Sequence, residues 1–405
     1  MESVDLLIKH ASELLTLKGP TTPRIQEEMR NLGIIKNGSV AINDGQIVAV
    51  GRNLSCKAEA TIDATGKLVM PGFVDPHTHV VFAGSREFEL DLKLAGVPYL
   101  EILKRGGGIF HTVKETRKAS PEQLFQQSKK RLDTMISHGT TSCEAKTGYG
   151  LDTTAELKLL KVQKKLAKMH PMDLVSTFLG AHAIPQQMKA DDYIETILHE
   201  MLPKTKGLAQ FCDVFCEKGV FTVAQSRKIL QTGKQYGLIP KIHADEIINT
   251  GGASLAAQVG AISADHLLRS SRDGLQAMAR KRVIGVLLPG TPFCTMMQQY
   301  APARKIIDLG VPVALGTDLN PNCWTENMQL IIQLACLLMK ITPAEAITAA
   351  TFNAACAIGL QNRVGSLEKG KQADVIILDC PNHQFLPYHF GVNLVKTVIK
   401  KGKVL

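Results

Sequence analysis

No uninterrupted apolar stretch among the 405 residues is long enough to cross a bilayer, which takes about 20 residues. Nor does the chain open like a secretory leader. Met1-Glu2-Ser3-Val4-Asp5 has no basic segment, and Leu6-Leu7-Ile8 is too short for an apolar one. A soluble, cytoplasmic chain with no membrane partner is expected. The net charge is +10, but no arginine-rich tract interleaved with aromatics accompanies it, and the lysines are dispersed. That reads as a solvated surface, so no nucleic-acid partner is expected. A basic field does mildly favour an anionic substrate. The nine cysteines are odd in number and have no framework spacing, as in a reduced chain without structural disulfides. Cys212 and Cys216 form a C-x3-C pair with no second pair to complete a structural zinc site, so both read as buried strand thiols.

What the chain does have begins with two histidines one residue apart. Leu68-Val69-Met70-Pro71-Gly72-Phe73-Val74 reads as a buried strand, followed by Asp75-Pro76-His77-Thr78-His79. Side chains alternate along a strand, so His77 and His79 leave the same face and can offer two nitrogens to one metal ion.

Both ends of the chain are strand-rich. Asp5–Ile8, Ser39–Ile42 and Gln46–Val50 lie near the start, with Asn43-Asp44-Gly45 as a hairpin signal. Ala373–Leu378, Val395–Ile399 and Lys401–Leu405 lie near the end. The two ends are expected to meet in one small β-sandwich domain (residues 1–66 and 362–405). Between them (67–361), strand and helix alternate. The strand candidates are Leu68–Val74, Thr140–Ala145, Leu174–Leu179, Cys212–Cys216, Pro240–His243, Ala261–Ala264, Val283–Leu288 and Val311–Leu315. Amphipathic segments such as Pro121–Ser137, Thr153–Met169 and Ala224–Tyr236 separate them. Eight such units in roughly 290 residues predict an α/β fold, a (β/α)8 TIM barrel. An open doubly wound sheet is the competing reading, but no G-x-G-x-x-G follows the first strand. Gly106-Gly107-Gly108 lacks that spacing and reads as a flexible loop near the barrel mouth.

Polar residues gather where the candidate strands end: His77 and His79, Glu144 to Tyr149, His182, Glu217, His243 to Glu246, Asp265-His266, and Asp318 to Asn320. Active sites of (β/α)8 barrels lie at that carboxyl face. One buried histidine is commonly a satisfied core residue. Five of the twelve at strand ends, with Asp318, favour a site. Imidazole and carboxylate donors suit zinc or a neighbouring first-row ion such as iron, and such an ion supports hydrolysis.

The run Pro71–His79, with His182, His243, His266 and Asp318, resembles the amidohydrolase superfamily. Within it the chain resembles the imidazolonepropionase family. The matching segments are Gly84-Ser85-Arg86-Glu87, Gly106-Gly107-Gly108-Ile109, Lys146-Thr147-Gly148-Tyr149-Gly150-Leu151, Leu179-Gly180-Ala181-His182-Ala183-Ile184-Pro185, Lys241-Ile242-His243-Ala244-Asp245-Glu246, Ser263-Ala264-Asp265-His266-Leu267 and Asp318-Leu319-Asn320-Pro321. They run through nearly the whole chain in order, and the Tyr149 and Glu246 segments are the most selective. The resemblance implies one divalent ion, Zn or Fe, held by His77, His79, His243 and Asp318. It implies substrate contacts at Arg86, Tyr149 and His182, with Tyr99 a weaker candidate. Asn320 carries over, whereas Asn322 and Cys323 do so only by position, because relatives usually read N-P-G-S where this chain has Asn320-Pro321-Asn322-Cys323.

The implied reaction opens the cyclic amide of 4-imidazolone-5-propanoate to N-formimidoyl-L-glutamate in histidine degradation. The carboxylate tail of that small-molecule substrate suits a guanidinium such as Arg86. Glu246 would activate water and also touch the substrate. His266 would hold the water or the ring carbonyl, His182 or His266 would help stabilise the oxyanion, and Glu246 or Asp318 would return a proton to nitrogen. Lys146 is expected to remain unmodified and not to bridge two metals. A homodimer is compatible with the sequence. Two alternatives stand beside this reading: an aminohydrolase acting on a purine, pyrimidine or guanidine, and a metal-free scaffold protein.

Overall fold

The computed structural model describes residues 3–97 and 99–405. Eight strands, Phe73–Asp75, Thr140–Lys146, Asp173–Ala181, Phe211–Cys216, Ile239–Ala244, Ser263–His266, Ile284–Leu287 and Val313–Leu315, pair in sequence order and all in parallel. The ring closes just past the ends of its first and last strands. Thr78 bridges Leu319, the His79 amide donates to the Leu319 carbonyl at 2.8 Å, and the Asp318 amide donates to the His77 carbonyl at 3.0 Å. Below this seam the buried Asp75 carboxylate accepts from the Thr317 amide at 3.1 Å and from its hydroxyl at 2.6 Å. The closure therefore places the first histidine pair against Asp318.

The outer helices follow local signals. Pro121–Ser137 begins behind Ser120, which forms a reciprocal capping box with Gln123, and has proline in its first turn. Its Leu124, Leu132 and Met135 are fully buried; burying a side chain of this size contributes ~1.5–3 kcal/mol. Asp152 caps Thr153–Met169. The third expected helix runs one residue earlier than the pattern suggested, Val223–Gln235, because Thr222 and Gln225 form its capping box.

The two chain ends build a separate eight-stranded sheet from Val4–Leu15, Ile34–Asn43, Gln46–Arg52, Ala58–Asp63, Leu68–Pro71, Val375–Leu378, Val395–Lys400 and Lys403–Val404. The Asn43-Asp44-Gly45 hairpin is present, with Asp44 and Gly45 both at positive φ, the two-residue turn that matches strand twist.

One strand differs from expectation. Leu68–Val74 is not a single barrel strand. Leu68–Pro71 pairs with Val375–Leu378 and with Val4–Leu15 in the terminal sheet, and only Phe73–Asp75 enters the barrel. The break falls at Gly72, where a Cβ would overlap the Thr141 side chain, so the chain changes sheets at a residue with no side chain. Ala58–Asp63 was not foreseen, since its residues are mostly exposed and carry no buried alternation. A partly buried ion cluster joins the two units: Lys400 Nζ lies 2.7 Å from Asp173 on the third barrel strand and 2.6 Å from Asp374.

Candidate metal centre and active site

Three imidazoles meet at the carboxyl end of the barrel, each with its Nδ1 facing an outer oxygen. His77 Nδ1 is 2.7 Å from Asp265 Oδ2, and His79 Nδ1 is 3.4 Å from the Thr147 carbonyl. His243 Nδ1 is 3.0 Å from Asp213 Oδ2, an ion-pair contact without hydrogen-bond alignment. Their ligating atoms lie within 4.8 Å of one another. His77 Nε2 and His243 Nε2 are buried with no hydrogen-bond partner among the described residues, a costly state that a cation would relieve. Asp318 Oδ1 stands 3.5 Å from His77 Nε2 and 3.7 Å from His79 Nε2. Asp318 is itself held by Thr291 Oγ1 at 2.6 Å and Asn320 Nδ2 at 2.9 Å. This donor set of neutral nitrogens and one carboxylate fits a divalent ion of the zinc or iron type. His266 joins a second group with His77 and Asp318.

Electrostatics agree with that fit. Burial, reinforced by neighbouring cationic groups, drives His77, His79 and His266 well below the ordinary imidazole range, so they stand neutral, the form that binds metals. His243 moves the other way: burial opposes protonation, but the Asp213 charge outweighs it. An outer carboxylate raises ligand basicity in this manner. Asp245, His266 and Asp318 all have positive φ, a backbone strain of the kind that gathers at functional sites.

The Glu246 carboxyl is pushed up to about 8, first by burial and then by the Asp318 charge. Its Oε2 lies 3.6 Å from His266 Nε2. Two carboxylates fix the loop beneath it. Glu217 accepts from the Ile247 amide at 2.9 Å, and Asp245 accepts from the amides of Thr250, Gly251 and Gly252 at 3.0–3.1 Å. His182 stacks on His79 at 4.8 Å between centroids, and Tyr149 lies 5.3 Å from the His182 ring. The His182 Nδ1 contact to the Gly148 carbonyl, 3.1 Å, fixes the tautomer and leaves Nε2 as an acceptor.

Arg86 is buried and grips Glu89 with two bonds, Nε to Oε1 at 2.7 Å and Nη2 to Oε2 at 2.8 Å. Glu89 also accepts from the Gly108 amide at 2.6 Å. The triple glycine is thus not a loose loop throughout: Gly108 opens the helix Gly108–Lys118, and Glu89 pins its start. Lys93 reaches across to Asn322 Oδ1 at 2.6 Å. Asn320 braces its own loop, accepting from the amides of Asn322 and Cys323 while donating to Asp318. Cys323 is buried with its thiol 3.6 Å from the Thr317 carbonyl. The Tyr99 side chain lies outside the described residues.

Sequence reasoning passed over Asp213 and named Glu144, Lys146, Lys241 and Asp265 only as strand-end or motif residues, without their mutual pairing behind the histidines. Lys146, Glu144, Asp213, Asp265 and Lys241 form one fully buried ion cluster. Their signal was available: lysines inside apolar strands persist only when paired. Lys146 has three carboxylates within 3.3 Å. Burial works against its charge, but those carboxylates win and raise its pKa, which holds it as an ammonium. A carboxylated lysine there would set a further negative charge among three others.

These features define a metal-dependent hydrolase barrel, and the chain belongs to the amidohydrolase family, whose model matches residues 68–405. It is similar to imidazolonepropionases along its whole length. That of Alkaliphilus metalliredigens is 53% identical over 413 residues, covering 99% of this chain and 98% of that protein. That of Geobacillus kaustophilus is 54% identical over 414 residues, covering 99% and 97%. Among solved structures, an adenosine deaminase from Xanthomonas campestris with bound zinc superposes with a TM-score of 0.75 at 20% identity, over 100% of this chain and 93% of that one. An atrazine chlorohydrolase from Arthrobacter aurescens, complexed with zinc, gives 0.74 at 17% identity, over 99% and 95%. At these identities the structural likeness concerns the fold alone.

Proposed function

We propose that this chain hydrolyses the cyclic amide C–N bond of 4-imidazolone-5-propanoate, yielding N-formimidoyl-L-glutamate in histidine degradation. The supporting observation is the inward convergence of His77, His79 and His243 on Asp318, in a chain about half identical, end to end, to imidazolonepropionases. In this reading those four residues hold one divalent ion, zinc or iron. Such an ion, when bound, lowers the pKa of water toward ~7 and polarises a carbonyl.

The protein's own residues do the rest. Glu246 takes a proton from the attacking water as its oxygen bonds to the ring carbonyl carbon. The ring C–N bond then breaks, and Glu246 returns the proton to the departing nitrogen. His266 steadies the developing oxyanion. His182, whose Nε2 is an acceptor, takes a hydrogen bond from a ring N–H. Arg86, fixed by Glu89, meets the carboxylate tail, and Tyr149 lines the ring. Asn320 keeps Asp318 in place. The same reading divides the chain into a terminal β domain (1–66 and 362–405) and a catalytic barrel (67–361), except that Leu68–Pro71 pairs in the terminal sheet and the chain crosses to the barrel at Gly72. It also places the protein in the cytoplasm; no helix among the described residues is long and apolar enough to cross a membrane.

A deaminase of neutral aminated rings would have no use for Arg86 as a carboxylate clamp. The test is a direct comparison of imidazolonepropanoate ring opening with ammonia release from aminated purines, pyrimidines and guanidines. Ring opening alone is expected; ammonia release alone would replace the substrate.

A further inference from the structure

Behind the histidines, one ammonium touches the partners of two of them. Lys146 Nζ lies 2.7 Å from Asp213 Oδ2 and 3.3 Å from Asp265 Oδ2. Those same two oxygens face His243 Nδ1 at 3.0 Å and His77 Nδ1 at 2.7 Å. The chain of contacts His243–Asp213–Lys146–Asp265–His77 therefore runs through shared atoms, and every member from Asp213 to His77 is fully buried. Glu144 completes the cluster, 3.1 Å from Lys146 and 2.7 Å from Lys241, while Lys241 also donates to the Pro76 carbonyl at 3.1 Å just before His77. Thr177 donates its hydroxyl to Glu144. Three carboxylates and two ammoniums meet in this fully buried cluster.

We propose that Lys146 is a positioning residue: by holding Asp213 and Asp265 on one ammonium, it fixes the His243 and His77 rings as a pair and so sets ion affinity and turnover without touching substrate. This rests on the metal-site reading above. Lys146 differs from Lys241 in an informative way. Both are buried and both pair with Glu144, but only Lys146 reaches the carboxylates that face ligand histidines.

That difference supplies the experiment. Lys146→Met/Glu144→Gln and Lys241→Met/Glu144→Gln each remove one positive and one negative charge from the same cluster, so the net charge is kept. Each variant is prepared as the full chain, and Co2+ is titrated against a chelator while the visible Co2+ band, kcat and KM are recorded. Loss of an outer partner typically weakens metal affinity ~10–100-fold. The Lys146 pair is expected to show that loss, an altered Co2+ band and a lower kcat with unchanged KM. The Lys241 pair should lose less than the ~10-fold that marks loss of an outer partner. Equal losses in the two pairs would overturn the proposal. Should the Lys146 pair not fold, Asp213→Asn and Asp265→Asn, singly and together, test the same link, because groups sharing a partner give non-additive effects. Additive losses of Co2+ affinity would overturn it. His77→Ala separates the two levels: undiminished Co2+ binding there would sink the metal site itself, whereas lost binding there with equal losses in the two pairs would sink only the role of Lys146.

Discussion

Truncating Arg86 to alanine should injure the protein in two separable ways. Arg86 and Glu89 share two charge-assisted bonds of 2.7 and 2.8 Å, and Glu89 has no exposed surface. Breaking a buried pair from one side costs about 3–5 kcal/mol, because the remaining charge is stranded. Here the Gly108 amide at 2.6 Å and Lys93 at 3.8 Å still face Glu89, so the lower end, about 3 kcal/mol, is expected. The substrate would also lose a charged hydrogen-bond partner, an effect of about 10–100-fold in KM. Arg86→Ala/Glu89→Gln removes the stranded charge. Urea unfolding at pH 7 and steady-state kinetics should show stability largely restored in the double variant while KM stays high. If the double variant restores KM as well, Arg86 serves the fold and not the substrate. If Arg86→Ala alone unfolds like the wild type, the energetic reasoning about this pair fails.

Glu246→Gln should keep its metal, measured by elemental analysis, and lose about 10²–10⁴ in kcat; a fully active variant would clear Glu246 of proton transfer. Lys400→Met tests the joint between barrel and terminal sheet. Burial alone would raise the Asp173 carboxyl, but Lys400, helped by Gln372 and Lys401, holds it at about 2. A depressed carboxylate stabilises the fold above its unfolded pKa of ~3.9, and that contribution fades as pH falls toward 2. The variant should therefore be about 2 kcal/mol less stable at pH 7, and the gap to the wild type should shrink between about pH 4 and 2; a gap independent of acid would refute this. Gly72→Val should cost about 1–3 kcal/mol in urea unfolding, since a side chain there overlaps Thr141; a neutral effect would mean that the crossover needs no bare backbone.

Much of the catalytic face could be read before any coordinates. The i, i+2 spacing of His77 and His79 pointed to one shared side, although the barrel strand ends at Asp75 and only Thr78 between them is bridged, to Leu319; the helices Pro121–Ser137 and Thr153–Met169 end where their caps and periodicity place them. The Gly72 crossover was hidden because Leu68–Val74 is apolar throughout, and a run of that kind carries no mark of changing sheets. The contacts that Asp213 and Asp265 make were hidden for another reason. A carboxylate behind each of these histidines comes from a different strand, and only the closed barrel brings Asp265 to His77, 188 residues away. Asn320 was expected to meet substrate; its amide also ties the loop to Asp318, a local bonding choice that composition does not reveal.

The most direct test is anomalous diffraction at the zinc and iron edges on crystals of the purified protein, with metal content measured on the same preparation. One peak is expected, about 2.0–2.1 Å from nitrogens of His77, His79 and His243, with Asp318 completing the set and Lys146 unmodified behind it. Two peaks bridged through Lys146, or a single ion bound away from these four side chains, would contradict the account.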